Sequence, residues 1–150
     1  MTLNKSVQQN NSVREHLGNH VLQLVSYEHR PVSNTKPETR IAQFKVLNTT
    51  ATSLVPGQYV GIPMKNPMSE KREIFYIAQV QNLLAAIHGT DQALVPEETW
   101  DAKEADAIAG KCVGVVVFCS VIEKTLQDGR VVRDTLFFPK PADATAAAVA

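Results

Sequence analysis

Apolar and polar positions along this chain change period twice, dividing it into strands, then helices, then strands again. Residues 20–28 (HVLQLVSYE) are rich in β-branched and aromatic side chains and read as a strand. Residues 40–47 alternate cleanly. Ala42, Phe44 and Val46 fall on one face, and Ile41, Gln43 and Lys45 on the other. Between these strands, RPVSNTKPE has the Pro and Asn-Thr content of a loop. A turn at Pro56-Gly57 leads into a third strand, with Val60 and Ile62 predicted to face in and Tyr59 and Gly61 out. From Ser69, a candidate N-cap followed by Glu70, the spacing becomes helical as far as Gly89. Ile77, Val80, Leu84 and Ile87 then share one buried face, with Phe75 and Tyr76 packing the helix on the sheet. A second helix is predicted from Pro96, a favoured first-turn residue, to a stop at Gly110, with Trp100 as its anchor. β-Branched and aromatic residues return in a long hairpin: a strand over 111–123 with both faces apolar, an Asp128-Gly129 turn, and a strand over 131–138 that Pro139 ends. Gly114 reads as a bend within the first of these two strands.

Three strands, a helical insertion and two more strands make a mainly β chain. Five strands with one or two helices between the third and fourth is the plan of the OB-fold, a five-stranded Greek-key barrel. The division expected is a flexible segment over 1–17, one OB-fold nucleic-acid-binding domain over 18–140, and a disordered Ala-rich tail over 141–150.

Composition adds few constraints. The chain has 150 residues, enough for one domain with a real core, and is 44% apolar and 20% charged. No apolar stretch approaches the ~20 residues of a membrane span. The polar start MTLNKSVQQNNSV has no signal-like apolar run, so a cytoplasmic location is expected. Cys112 and Cys119, placed on opposite faces of one strand, are expected to stay free thiols, as in a reducing compartment.

Charge is more telling. The net charge is zero, but residues 81–109 hold one Lys/Arg against six Asp/Glu, and the rest of the chain is +5. A mildly basic body is thus hidden by one acidic segment, which reads as a solvated helix face including Glu97, Glu98, Asp101 and Glu104. No catalytic or cofactor motif occurs: neither a phosphate loop, nor a nucleophile elbow, nor a CxxC pair. His16 and His20 are four apart, but the Gly-Asn between them argues against a helical metal site, and they read as a frayed lead into the first strand. No enzyme, metal or cofactor is expected. Binding chemistry has more support. OB-folds hold oligonucleotides on strands 2–3 and with the loops joining strands 1–2 and 4–5. The first loop region carries Arg30, Lys36 and Arg40, and the second Lys124, Arg130 and Arg133. Lys45, Tyr59 and Lys65 lie on or beside the face between them. Tyr27 and Tyr59 are candidate base platforms, with Phe75 or Tyr76 as further ones.

Several stretches resemble the small single-stranded DNA-binding proteins encoded by tailed bacteriophages. They are the basic Pro-containing loop YEHRPVSNTKPETR, the strand PGQYVGIPM, the helix end LLAAIHG, the opening GKCVGVVV, and a DG hairpin closing in FFP. The resemblance implies an OB barrel that coats single-stranded DNA during replication or recombination in a bacterial host, alongside phage or host proteins of those processes. It places binding on Lys36, Arg40, Lys45, Tyr59, Lys124 and Arg130. The ending PADATAAAVA, with Asp143 alone, departs from the acidic tail by which many such proteins recruit partners. A structural or protein-interaction module of a virion or replication complex is the alternative, motivated by the neutral charge and the acidic helix. A homo-oligomer is compatible with this pattern.

Overall fold

The alternating segments form five antiparallel strands in one sheet, and the computed structural model describes them within residues 11–141. The strands are β1 (Gly18–Arg30), β2 (Thr39–Thr49), β3 (Tyr59–Lys65), β4 (Val116–Thr125) and β5 (Val131–Pro139), in the spatial order β3-β2-β1-β4-β5. β1 is central because its 13 residues pair with β2 on one side and, through its first half, with β4 on the other. The alternation expected of β2 holds: Ala42, Phe44 and Val46 are fully buried, and Phe44 stacks on Phe137 of β5 with ring centroids 5.7 Å apart.

Barrel closure is not reached. β3 and β5 form no ladder, so the sheet is open, and chain from the segment expected to be flexible lies between the two edges. Ser12 makes a parallel bridge with Gly61, whose N–H donates to the Asn11 carbonyl at 2.9 Å. From the other edge, Arg133 Nη1 donates to the Arg14 carbonyl at 2.9 Å. Val13, in the short 3-10 turn Val13–Glu15, is fully buried. Gly61 is consequently buried under this segment rather than facing outward. The tail after Pro141, like residues 1–10, lies outside the described residues.

Helix α1 (Glu70–Ile87) starts after Ser69, as expected, and covers the core with Tyr76, Val80, Leu83, Leu84 and Ile87. Its buried face is turned slightly from the expected one. Ile77 is 44% exposed and Phe75 75% exposed, because Tyr76 and Leu83 take the inward positions. Asn82 on α1 answers the backbone of β5, accepting from the Phe137 N–H at 2.8 Å and donating to its carbonyl at 3.0 Å. A 3-10 turn (Glu97–Thr99) precedes helix α2 (Trp100–Ile108), so the second helix is shorter than its sequence suggests. β4 also begins later than expected, after a turn in which Gly114 has φ +92° and donates to the Leu24 carbonyl at 2.8 Å. Cys112 therefore sits in a turn, not on a strand with Cys119; both thiols are buried and free. No helix among the described residues is long and apolar enough to cross a membrane.

His16 and His20 are not frayed. His20 is 1% exposed, its Nε2 at 2.8 Å from the His16 carbonyl and its Nδ1 at 2.7 Å from Thr49 Oγ1. His16 sits between Ser53 Oγ at 2.7 Å and Asn11 Oδ1 at 2.8 Å. Each neutral ring is thus satisfied by one donor and one acceptor. Burial lowers both imidazoles from their ordinary value, with Glu15 opposing and Arg133 reinforcing the effect at His16, and the His16 carbonyl opposing and the His16 ring reinforcing it at His20. A base whose folded pKa is depressed stabilises above its unfolded pKa and loses that contribution as pH falls through the folded one. The urea midpoint should therefore fall as the pH is lowered below about 6.5, the ordinary imidazole value. His20→Gln should lower the midpoint at about pH 8 yet flatten this acid limb; an unchanged limb would place the titration elsewhere.

Candidate nucleic-acid interface

The loop between β1 and β2 folds back on itself. Ser33 donates its N–H to the Lys36 carbonyl at 2.9 Å, and the Lys36 N–H donates to Ser33 Oγ at 3.2 Å. Because β3 ends opposite the start of β2, with Lys65 paired to Thr39, this loop and the end of β3 enclose one groove of about 530 Å³. Arg30, Lys36 and Lys65 all line it. Lys36 and Lys65 have no carboxylate partner among the described residues, whereas Arg30 pairs with the exposed Glu28. Beyond the groove, Lys45 and Tyr59 are cross-strand partners on β2 and β3, and the Tyr59 ring is 39% exposed. A cationic groove and an open aromatic on the same strand pair are the two kinds of group that single-strand binding uses: charges for phosphates and a π surface for a base.

Two expected contributors are occupied internally. Tyr27 is 6% exposed and donates its hydroxyl to Glu104 of α2. Arg40 grips the same carboxylate with two nitrogens, Nε to Oε2 at 2.5 Å and Nη2 to Oε1 at 3.0 Å. Its remaining nitrogen, Nη1, reaches the Tyr76 hydroxyl at 2.6 Å and the Glu38 carboxylate. The guanidinium is also 5.6 Å from the Tyr76 ring centroid. Neither side chain is free to meet a nucleic acid, and Glu104 belongs to this network rather than to a solvated acidic face. Burial alone would raise the Glu104 pKa, but the hydrogen bonds from Arg40 and Tyr27 hold it below the ordinary carboxylate value. Burial, together with Glu104, pushes the Tyr27 phenol up, so it stays a donor.

The hairpin tip is also partly neutralised. Lys124 pairs with Asp134 across the hairpin at 3.0 Å, and Arg130 with Asp128 at 2.7 Å. The Arg130–Asp128 pair is exposed and holds its cation only loosely, and the Lys124–Asp134 pair is partly exposed. Arg133 instead meets Lys65 in a second groove, between α1 and β5, where Arg14 and Arg72 join them. These last two escaped the sequence reading because one lies in a segment read as flexible and the other in a helical first turn. Arg72 and Phe75, three apart on a helix, were the available signal, since that spacing puts a cation and an aromatic on one face.

An internal role for Arg40 makes a clear prediction. Arg40→Met strands the Glu104 carboxylate and should cost about 3 kcal/mol of stability in chemical denaturation. Arg40→Met with Glu104→Gln should recover part of that loss. If Arg40→Met costs nothing, the pair is not structural. Compared with protein-family models, curated proteins and solved structures, the chain matches none of them, and its functional reading rests on its own residues.

Proposed function

We propose that this protein binds single-stranded DNA with little sequence preference, coating and protecting it during replication or recombination in a phage-infected bacterial cell. The observation that carries the reading is the groove of Arg30, Lys36 and Lys65 at one end of the β2–β3 pair, with the exposed Tyr59 and its partner Lys45 at the other. The strand order β3-β2-β1-β4-β5 supports it, being that of an OB barrel opened between its third and fifth strands. In that fold the face of the second and third strands is where oligonucleotides lie. At the hairpin tip Arg130 adds a phosphate contact, released from the exposed Asp128 when a phosphate approaches, and Lys124 adds its charge while still paired with Asp134.

Electrostatic and stacking contributions separate in the laboratory. Fluorescence titration with dT oligomers of increasing length, at two salt concentrations, should show binding that weakens steeply with salt. Tyr59→Ala should lose roughly 1–3 kcal/mol of binding with the salt slope unchanged. Lys36→Ala should reduce the slope by about 0.7, one phosphate contact to a single strand. Wild-type behaviour from both variants would remove this face from the site. No binding to dT at low salt would reject the reading in favour of a protein-interaction module.

A further inference from the structure

The six arginines of this chain divide into two sets. Arg30, Arg40 and Arg130 each pair with a carboxylate: Glu28 for the first, Glu38 and Glu104 for the second, and Asp128 for the third. Arg14, Arg72 and Arg133 pair with none among the described residues. All three line the same groove, about 640 Å³ in volume, between α1 and β5. Lys65 lines it as well, again without an ion pair. The groove contains one acid, Asp134, and its carboxylate is held by Lys124 at 3.0 Å.

The arginines without an acid thus fall together in one groove instead of being scattered over the surface. Arg14 is the most telling, because it is half-buried and burial lowers its pKa, the sign of a guanidinium losing water with no counter-charge in exchange. An anion in the groove would supply that charge. Phe75 stands on the same wall and is 75% exposed, so its ring is open to stacking by a flat group. Continuity fixes the kind of anion. Lys65 lines both this groove and the one beneath the β1–β2 loop, so the two cationic surfaces meet at one side chain. A chain of phosphates can follow such a path, and a single free phosphate cannot occupy it.

We propose that the groove between α1 and β5 is a second subsite for single-stranded DNA, in which Arg14, Arg72 and Arg133 hold successive phosphates and Phe75 stacks a base. The strand enters from the loop groove over Lys65. This subsite rests on the single-strand-binding reading and extends it to a part of the fold away from the β2–β3 face.

Arg72 and Phe75 are exposed helix residues, so Arg72→Ala and Phe75→Ala should fold normally, which a thermal melt verifies. Both are titrated with dT oligomers of increasing length at two salt concentrations, beside wild type and Lys36→Ala. Phe75→Ala should weaken binding to long oligomers about 5- to 100-fold with the salt slope kept, and Arg72→Ala should reduce the slope by about 0.7. In both variants affinity should stop rising at a shorter oligomer length than in wild type. If both match wild type in affinity, slope and saturation length while Lys36→Ala does not, the subsite is wrong and the single-strand reading stands. If wild type binds no dT at low salt, both fall. If dTTP binds as tightly as a long oligomer and loses affinity in Arg72→Ala, the groove serves a free nucleotide and the proposal is overturned.

Discussion

A sheet that stops short of closing leaves two rows of unpaired backbone donors and acceptors, and here they run along β3 and β5. Such edges invite pairing with other chains unless something covers them. Three devices cover these. Asn11 and Ser12 bond to Gly61 on the β3 side, Asn82 of α1 bonds both ways to Phe137 on the β5 side, and Arg133 reaches the Arg14 carbonyl across the gap. The same arrangement has a chemical consequence. Filling the gap with a segment that carries Arg14, opposite a helix that begins with Arg72, gathers cations where a ladder would have left none.

Charge in this molecule is sorted by depth. Arg40 and Glu104 meet with both hydrogen-bonding edges matched, and Tyr27, Tyr76 and Glu38 saturate what remains. That network joins β1, β2, α1 and α2, which explains why an acidic helix lies against a mildly basic body. Cations outside it are paired loosely at the hairpin tip or left without acids in the two grooves. A net charge of zero therefore describes neither the interior nor the grooves.

The period of the apolar pattern determined most of the architecture. The inward faces of β2 and β3, the Ser69 start of α1 and the Asp128-Gly129 turn were legible because each depends on neighbours close in sequence. Boundaries were less legible. The delayed start of β4 goes with a turn bonded to Leu24, ninety residues from Gly114, and no local signal carries such a bond.

The roles of individual polar residues were decided by tertiary structure. Tyr27 and Arg40 have the composition of a binding loop, and Lys36 and Tyr59 have it equally. What separates them is whether Glu104, far along the chain, comes within hydrogen-bonding reach. Likewise His16 and His20 are unremarkable in sequence and buried in the fold, because Asn11, Thr49 and Ser53 supply partners at positions that only folding brings near. Local patterning settles the elements, their inward faces and the supply of basic loops. Closure of the sheet and the pairing of each cation come from the fold, since both depend on contacts between segments with no local preference for one another.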